Sequence, residues 1–231
     1  MFHFDPMYFL FLLPAIALAG WAQLRVRSTF NEAHQIAAAS RLSGAQVAQQ
    51  ILAAEGISDV GIERAEGFLG DHYDPRHKVL RLSDDVYNGR SLAALGIAAH
   101  EVGHAVQHAQ RYAPLVVRNA VVPMASFGSN ASWFLLFLGA MMSSFNLILA
   151  GIFLYSTVVF FQLVNLPVEF DASSRARAIL LRRGIVSPAE DKTVGKVLNA
   201  AAMTYVAATI TAVLTLLYYL MRFGLLGDRE R

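Results

Sequence analysis

Hydrophobic residues along this chain fall into two patterns. Four long runs are apolar at nearly every position. Between them lie two polar segments whose apolar residues recur at helical or strand spacing. The runs cover about Met7 to Leu24, Leu115 to Met142, Asn146 to Leu166 and Leu198 to Met221. Each is long enough to cross a hydrocarbon core of about 30 Å as a helix. Pro14 and Pro123 fall inside the first two. The second run has a polar first half (Ser126, Ser129, Asn130 and Ser132). That composition suits a kinked span, or one that partly lines a cavity.

The polar segments carry shorter signals. Ser43-Gly44-Ala45-Gln46 reads as a capping box, and Val47, Ile51 and Leu52 form an apolar stripe on the helix it opens, with Gly56 as the stop. Val60 and Ile62 alternate with polar neighbours as in a short strand, and Gly67 to Leu69 suggest a second. The clearest strand is Lys78-Val79-Leu80-Arg81-Leu82, after a turn at Asp74-Pro75. Val79 and Arg81 share one face, and Leu80 and Leu82 the other. An exposed edge on Val79 to Leu82 would hold an extended peptide by backbone pairing; a purely structural hairpin is the competing reading. Ser91 can cap a helix reaching about Tyr112, with Leu92, Leu95, Ala99 and Val102 on its apolar side.

Composition agrees with a membrane location. The chain is 55% hydrophobic and its mean hydropathy is +0.44, above the 45–50% apolar share of ordinary soluble domains. A net charge of +2, with no basic run or phosphate loop, gives no reason to expect a nucleic-acid partner. With no cysteine, any metal site must use histidine and carboxylate. The first run is read as a retained anchor, because Met1 to Pro6 lack the positive charge of a signal peptide while Arg25 and Arg27 follow the run. Arginine and lysine crowd the segments between runs one and two and between runs three and four. The short connection at Ser143 to Asn146 has none. Both polar segments are therefore expected on the cytoplasmic side, although Arg222 in the tail argues the other way. The expected fold is a mainly α integral membrane protein of about four transmembrane helices, with a zincin-like α+β part containing a small β-sheet. Its expected divisions are an anchor (1–24), a polar zincin-like part (25–114), a transmembrane hairpin (115–166), a third-ligand helix and loop (167–197) and a C-terminal span and tail (198–231).

The chemistry centres on His100-Glu101-Val102-Gly103-His104. Two histidines four apart share one helix face, so their imidazoles can converge on one zinc ion. Glu101 between them suits a general base acting on water. His108 continues the spacing but lies about 12 Å along the helix axis from His100, too far to share one ion with both. A metzincin would need histidine at position 110, where this chain has Gln110. A third ligand must come from elsewhere. Glu169, just after the third run, is the first candidate, and Asp171 is the alternative on a different helix face. Asn165 could cap that helix, with Pro167 in its first turn and Gly184 beyond its end. A donor for a developing oxyanion is expected among Arg175, Tyr205 and His72, and the sequence does not choose between them.

Several stretches, in order, carry a resemblance. Ser43-Gly44-Ala45, Gly70 to Arg76, Leu82-Ser83, His100 to Gln107 and Pro167 to Ser173 resemble the YugP-type membrane zinc metallopeptidases, small bacterial integral-membrane proteins. The resemblance implies zinc held by His100, His104 and Glu169, with Glu101 as general base. It also implies a distant likeness to HtpX-type and prenyl-protein membrane proteases, which carry an acidic residue four positions after the glutamate ligand. This chain has Ser173 there.

The expectation is a zinc-dependent endopeptidase, gluzincin-like, in the bacterial plasma membrane. It would act on a peptide or membrane-protein substrate with its site on the cytoplasmic side. The alternative is a non-enzymatic zinc-binding scaffold or pseudoprotease; a structural site would have no use for Glu101. A metal transporter would need carboxylates or histidines within the spans, which supply chiefly amides and hydroxyls.

Overall fold

In a computed structural model of the chain, residues 6–65 and 70–226 are described. The protein is mainly helical, with a small three-stranded sheet. Its elements in chain order are α1 (Pro6–His34), α2 (Gly44–Ala54), β1 (Gly61–Arg64), β2 (His72–Asp74), β3 (Val79–Leu82), α3 (Asp84–Tyr87), α4 (Leu92–Ala109), α5 (Ala113–Met141), α6 (Phe145–Arg182) and α7 (Pro188–Arg222). Helices α1, α5, α6 and α7 are each long and apolar enough to cross a membrane. The chain divides into two compact units: one drawn from residues 22–116 and 167–203, the other from residues up to 21, 117–166 and 204 onward.

The first of these, the polar unit, has its core around α4. Small residues Ala93, Ala98, Ala99 and Ala105 let neighbours approach, and Leu92, Leu95, Val102 and Val106 fill the gaps. Leu80, Leu82, Val47, Ile51, Val86, Leu180 and Val194 bring the sheet, α2, α3, α6 and α7 into the same core. Each such side chain fully buried contributes about 1.5–3 kcal/mol. Ser43 caps α2 as the sequence suggests: its hydroxyl accepts from Gln46 N–H, and the Gln46 side chain accepts from Ser43 N–H. Ser91 caps α4 by accepting from Ala94 N–H. Gly56, at φ +71, ends α2 in a left-handed turn where a side chain would be strained. Arg177 of α6 grips both carboxylate oxygens of Asp191 of α7 through Nε and Nη2, at 3.0 and 2.6 Å.

The sheet corrects one expectation. Its order is β1-β3-β2, with β1 parallel and β2 antiparallel to β3. Val79 to Leu82 is thus the central strand, and its backbone is paired on both sides. It has no free edge for a peptide; the edges belong to β1 and β2. The strand suggested at Gly67 to Leu69 lies outside the described residues, while β2 is formed by His72 to Asp74. The turn at Asp74-Pro75 is present, closed by Asp74 Oδ1 accepting from the N–H groups of Arg76 and His77.

The second, apolar unit exposes Leu13, Phe127, Trp133, Phe134, Met141 and Phe153, an apolar surface of the kind a bilayer covers. Helix α5 runs unbroken through Pro123. Its polar groups are absorbed locally: Asn130 donates to Ser126 C=O and Ser132 to Ser129 C=O. Gly128, Gly139 and Gly151 allow α5 and α6 to touch; a Cβ on Gly128 would stand 2.7 Å from Leu154 O. Helix α6 also corrects the sequence reading. No new helix starts at Asn165, because α6 continues through Pro167 to Arg182, and Asn165 instead accepts from Arg118 Nε at 3.1 Å. The stop at Gly184, φ +63, is where the sequence puts it.

Replacing Ser43 with alanine removes the hydroxyl that accepts from Gln46 N–H and leaves the backbone arm of the capping box in place. The expected loss is about 1 kcal/mol of stability, read as a lowered thermal unfolding midpoint of the detergent-solubilised full chain.

Candidate metal centre

Two helices of the polar unit build the site. The apolar face of α4 is buried against the core, which turns His100, Glu101 and His104 toward α6 and β2. Gly103 decides how near α6 can come. A Cβ there would lie 2.7 Å from the backbone oxygen of Ala172 and 3.2 Å from its Cα. Only hydrogen fits, so the α6 backbone rests against the α4 backbone at this point. One turn before Ala172, α6 presents Glu169 to the histidine pair.

Glu169 Oε2 stands 3.4 Å from His100 Nε2 and 3.6 Å from His104 Nε2. One donor atom from each of the three residues lies within 4.8 Å of the other two. Glu169 is only 3% exposed, and its Oε2 is buried with no hydrogen-bond partner. A buried carboxylate oxygen without a partner is costly, and a cation between the three donors would remove that cost. Two imidazole nitrogens and a carboxylate oxygen are a donor set suited to zinc. The residues therefore fit a divalent metal.

The other nitrogens of both rings are held. His100 Nδ1 is paired with Ser173 Oγ at 3.1 Å. Ser173 thus stands at the position where the resembled membrane proteases carry an acid, and a hydroxyl meets the imidazole. His104 Nδ1 faces Gln107 Oε1 at 3.0 Å. Gln107 is fully buried and donates to Val168 C=O and to Asp171 Oδ2, both at 2.8 Å. Burial alone would lower the His104 pKa, but the Glu169 carboxylate beside it raises it overall.

Glu101, 8% exposed, accepts at Oε2 from Tyr73 N–H at 3.0 Å. His72 and Asp74 pair with β3 on either side of Tyr73, so this N–H points off the free edge of β2. The Tyr73 hydroxyl is paired with His108 Nδ1 at 2.8 Å, and burial pushes its pKa up to about 12. Asp71, held by Ser83 N–H and hydroxyl, has its carboxyl pushed up by burial, and the nearby charge of Glu101 adds to the shift.

The other sequence candidates lie apart from the histidine pair or point elsewhere. Asp171 is engaged by Gln107 and Arg175. Arg175 is taken up by Asp171, Gln110 and the face of Tyr112. His72 is exposed, with Nδ1 on Gly70 C=O, and Tyr205 belongs to the apolar unit. Sequence reading passed over Gln107 and the Tyr73 amide. A glutamine three residues after His104 on an otherwise apolar helix was the available signal for the first; nothing local marks the second.

Residues 8–224 match the family described as "putative neutral zinc metallopeptidase", and the chain belongs to that family. It is also 46% identical over 218 residues to "Putative membrane protease YugP" of Bacillus subtilis (strain 168), covering 94% of this chain and 97% of that protein. No solved structure matches the chain.

Gly103→Ala forces apart the helices that carry the donor atoms. Overpacking of this kind costs about 1–3 kcal/mol. Zinc affinity of the purified protein should fall about tenfold or more, read by competition with a chromophoric chelator, while far-ultraviolet circular dichroism stays helical.

Proposed function

We propose that the protein is a membrane-embedded zinc-dependent endopeptidase. His100, His104 and Glu169 hold the ion and Glu101 acts as general base. The observation that carries this reading is the convergence of the three donor atoms around the partnerless Glu169 oxygen. Family membership and the relative named as a membrane protease support it.

Zinc at such a site supplies a Lewis acid that polarises a carbonyl and lowers the pKa of water toward about 7. The protein's own groups do the rest. Glu101 is anchored at Oε2 by the Tyr73 amide, which leaves its other oxygen to take a proton from the attacking water and pass it to the leaving amine. Ser173 and Gln107 hold the two rings so that both Nε2 atoms face Glu169. An extended peptide lies along the free edge of β2, the strand that touches Glu101, since backbone pairing there is indifferent to side chains. His108 secures the far end of Tyr73. The substrates are peptides or membrane proteins. The site faces the cytoplasm of a bacterial plasma membrane, as the arginines flanking the spans favour.

Glu101→Gln should keep full zinc content and lose about a hundredfold or more in hydrolysis of a peptide library; turnover like the parent's would remove the base assignment. Glu169→Ala should lose most of its zinc by elemental analysis after dialysis. Stoichiometric zinc in that variant would move the third ligand elsewhere. Zinc binding without chelator-sensitive cleavage of any peptide would favour the scaffold reading.

A further inference from the structure

The two metal-facing imidazoles are not held alike. Ser173 Oγ, paired with His100 Nδ1, is a hydroxyl that can donate or accept. It adapts to either tautomer of His100 and dictates neither. Gln107 has no such freedom. Its Nε2 lies 2.8 Å from Val168 O and 2.8 Å from Asp171 Oδ2. A backbone carbonyl and a carboxylate only accept, so both amide hydrogens are committed to them. The amide cannot flip without setting its oxygen against two others. Asp171 is itself fixed by Arg175, and Arg175 by Gln110. Gln107 Oε1 must then face His104 Nδ1, 3.0 Å away, with the side chain fully buried and no room for an alternative rotamer.

An amide oxygen accepts only. A lone pair on Nδ1 would face it without a proton between them, at full electrostatic cost in a dry interior. A hydrogen therefore sits on Nδ1, so Nε2, the nitrogen that faces Glu169, is the one left to give its lone pair to an ion. We propose that Gln107 is a positioning residue that locks His104 in its metal-accepting tautomer before any ion arrives. It does so by relaying the fixed acceptors of α6, Val168 and Asp171, onto the α4 imidazole. Two of these bonds tie α6, at Val168 C=O beside Glu169 and at the Asp171 carboxylate, to the helix that carries both histidines. One residue thereby sets ring chemistry and interhelix register together. The proposal rests on the metal-site reading above.

Its test reads the tautomer directly, in metal-free full-length protein in detergent, by long-range 1H–15N correlation of the histidine rings. The parent should show His104 Nδ1 wholly protonated. Gln107→Met, of similar length but without donors or acceptor, should show both tautomers and bind zinc about tenfold or more weakly. Ser173→Ala should leave the His104 tautomer as it is in the parent. If the parent itself shows His104 Nδ1 unprotonated, the proposal is overturned even where Gln107→Met does not fold. An unchanged tautomer and unchanged zinc affinity in Gln107→Met overturn it equally, and leave the zinc site intact. Failure of the parent to bind zinc would instead remove the metal-site reading, because the tautomer is read with no metal and no substrate present.

Discussion

The site in the polar unit depends on the contact between the backbones of Gly103 and Ala172. Helices with ordinary side chains pack with axes about 8–10 Å apart. A carboxylate reaching across such a gap would need an extended rotamer and would leave space for water. Glycine at 103 removes the side chain at the crossing, so Glu169 arrives 3% exposed and within contact of both imidazoles. The glycine lies inside the histidine motif itself. One five-residue stretch thus supplies two imidazoles, the glutamate proposed as base and the gap that admits Glu169.

The second feature that shapes the site is the sheet order. With β3 in the middle, β2 becomes an edge facing α4, and its single outward amide, Tyr73 N–H, reaches Glu101. The edge strand is only three residues long, which offers few backbone positions to a partner peptide. The short strand is braced at both ends: Asp71 against Ser83 below it, and the Asx turn of Asp74 above. Tyr73 adds a third brace through His108, the residue whose spacing excluded it from the metal.

Local signals in the sequence were legible, and tertiary ones were not. The capping boxes, the stops at Gly56 and Gly184, the four apolar runs and the i, i+4 histidines all depend on neighbours within a few residues. Glu169 was readable as an acidic residue close after an apolar run and was ranked above Asp171, but its approach to the histidine pair depends on the rotation of α6, set by the contact of Gly103 with Ala172, which is distant in sequence. Strand order was illegible for the same reason: alternation in Val79 to Leu82 shows a strand and says nothing about who sits beside it. Pro167 misled because proline usually opens a helix; here the helix simply passes through it. Gln107 had no role in the sequence reading, because the partners that engage it, Val168 and Asp171, come from α6.

Charge balance draws these parts together. Two imidazoles that each give the Nε2 lone pair to an ion are neutral, so with Glu169 ionised the three donors would carry a single negative charge. A divalent ion among them would leave a charge of +1 in a site with little water to screen it. Glu101, close enough to belong to the same electrostatic unit, brings that sum to zero. The groups beyond them keep it there. Ser173 and Gln107 are neutral. Asp171 lies one bond further out and is neutralised by Arg175. Asp71, the other acid near Glu101, has its carboxyl pushed up by burial and resists adding another negative charge. A carboxylate in place of Ser173 would tip this balance negative and make His100 a stronger donor; the hydroxyl beside His100 Nδ1 leaves the balance as it is.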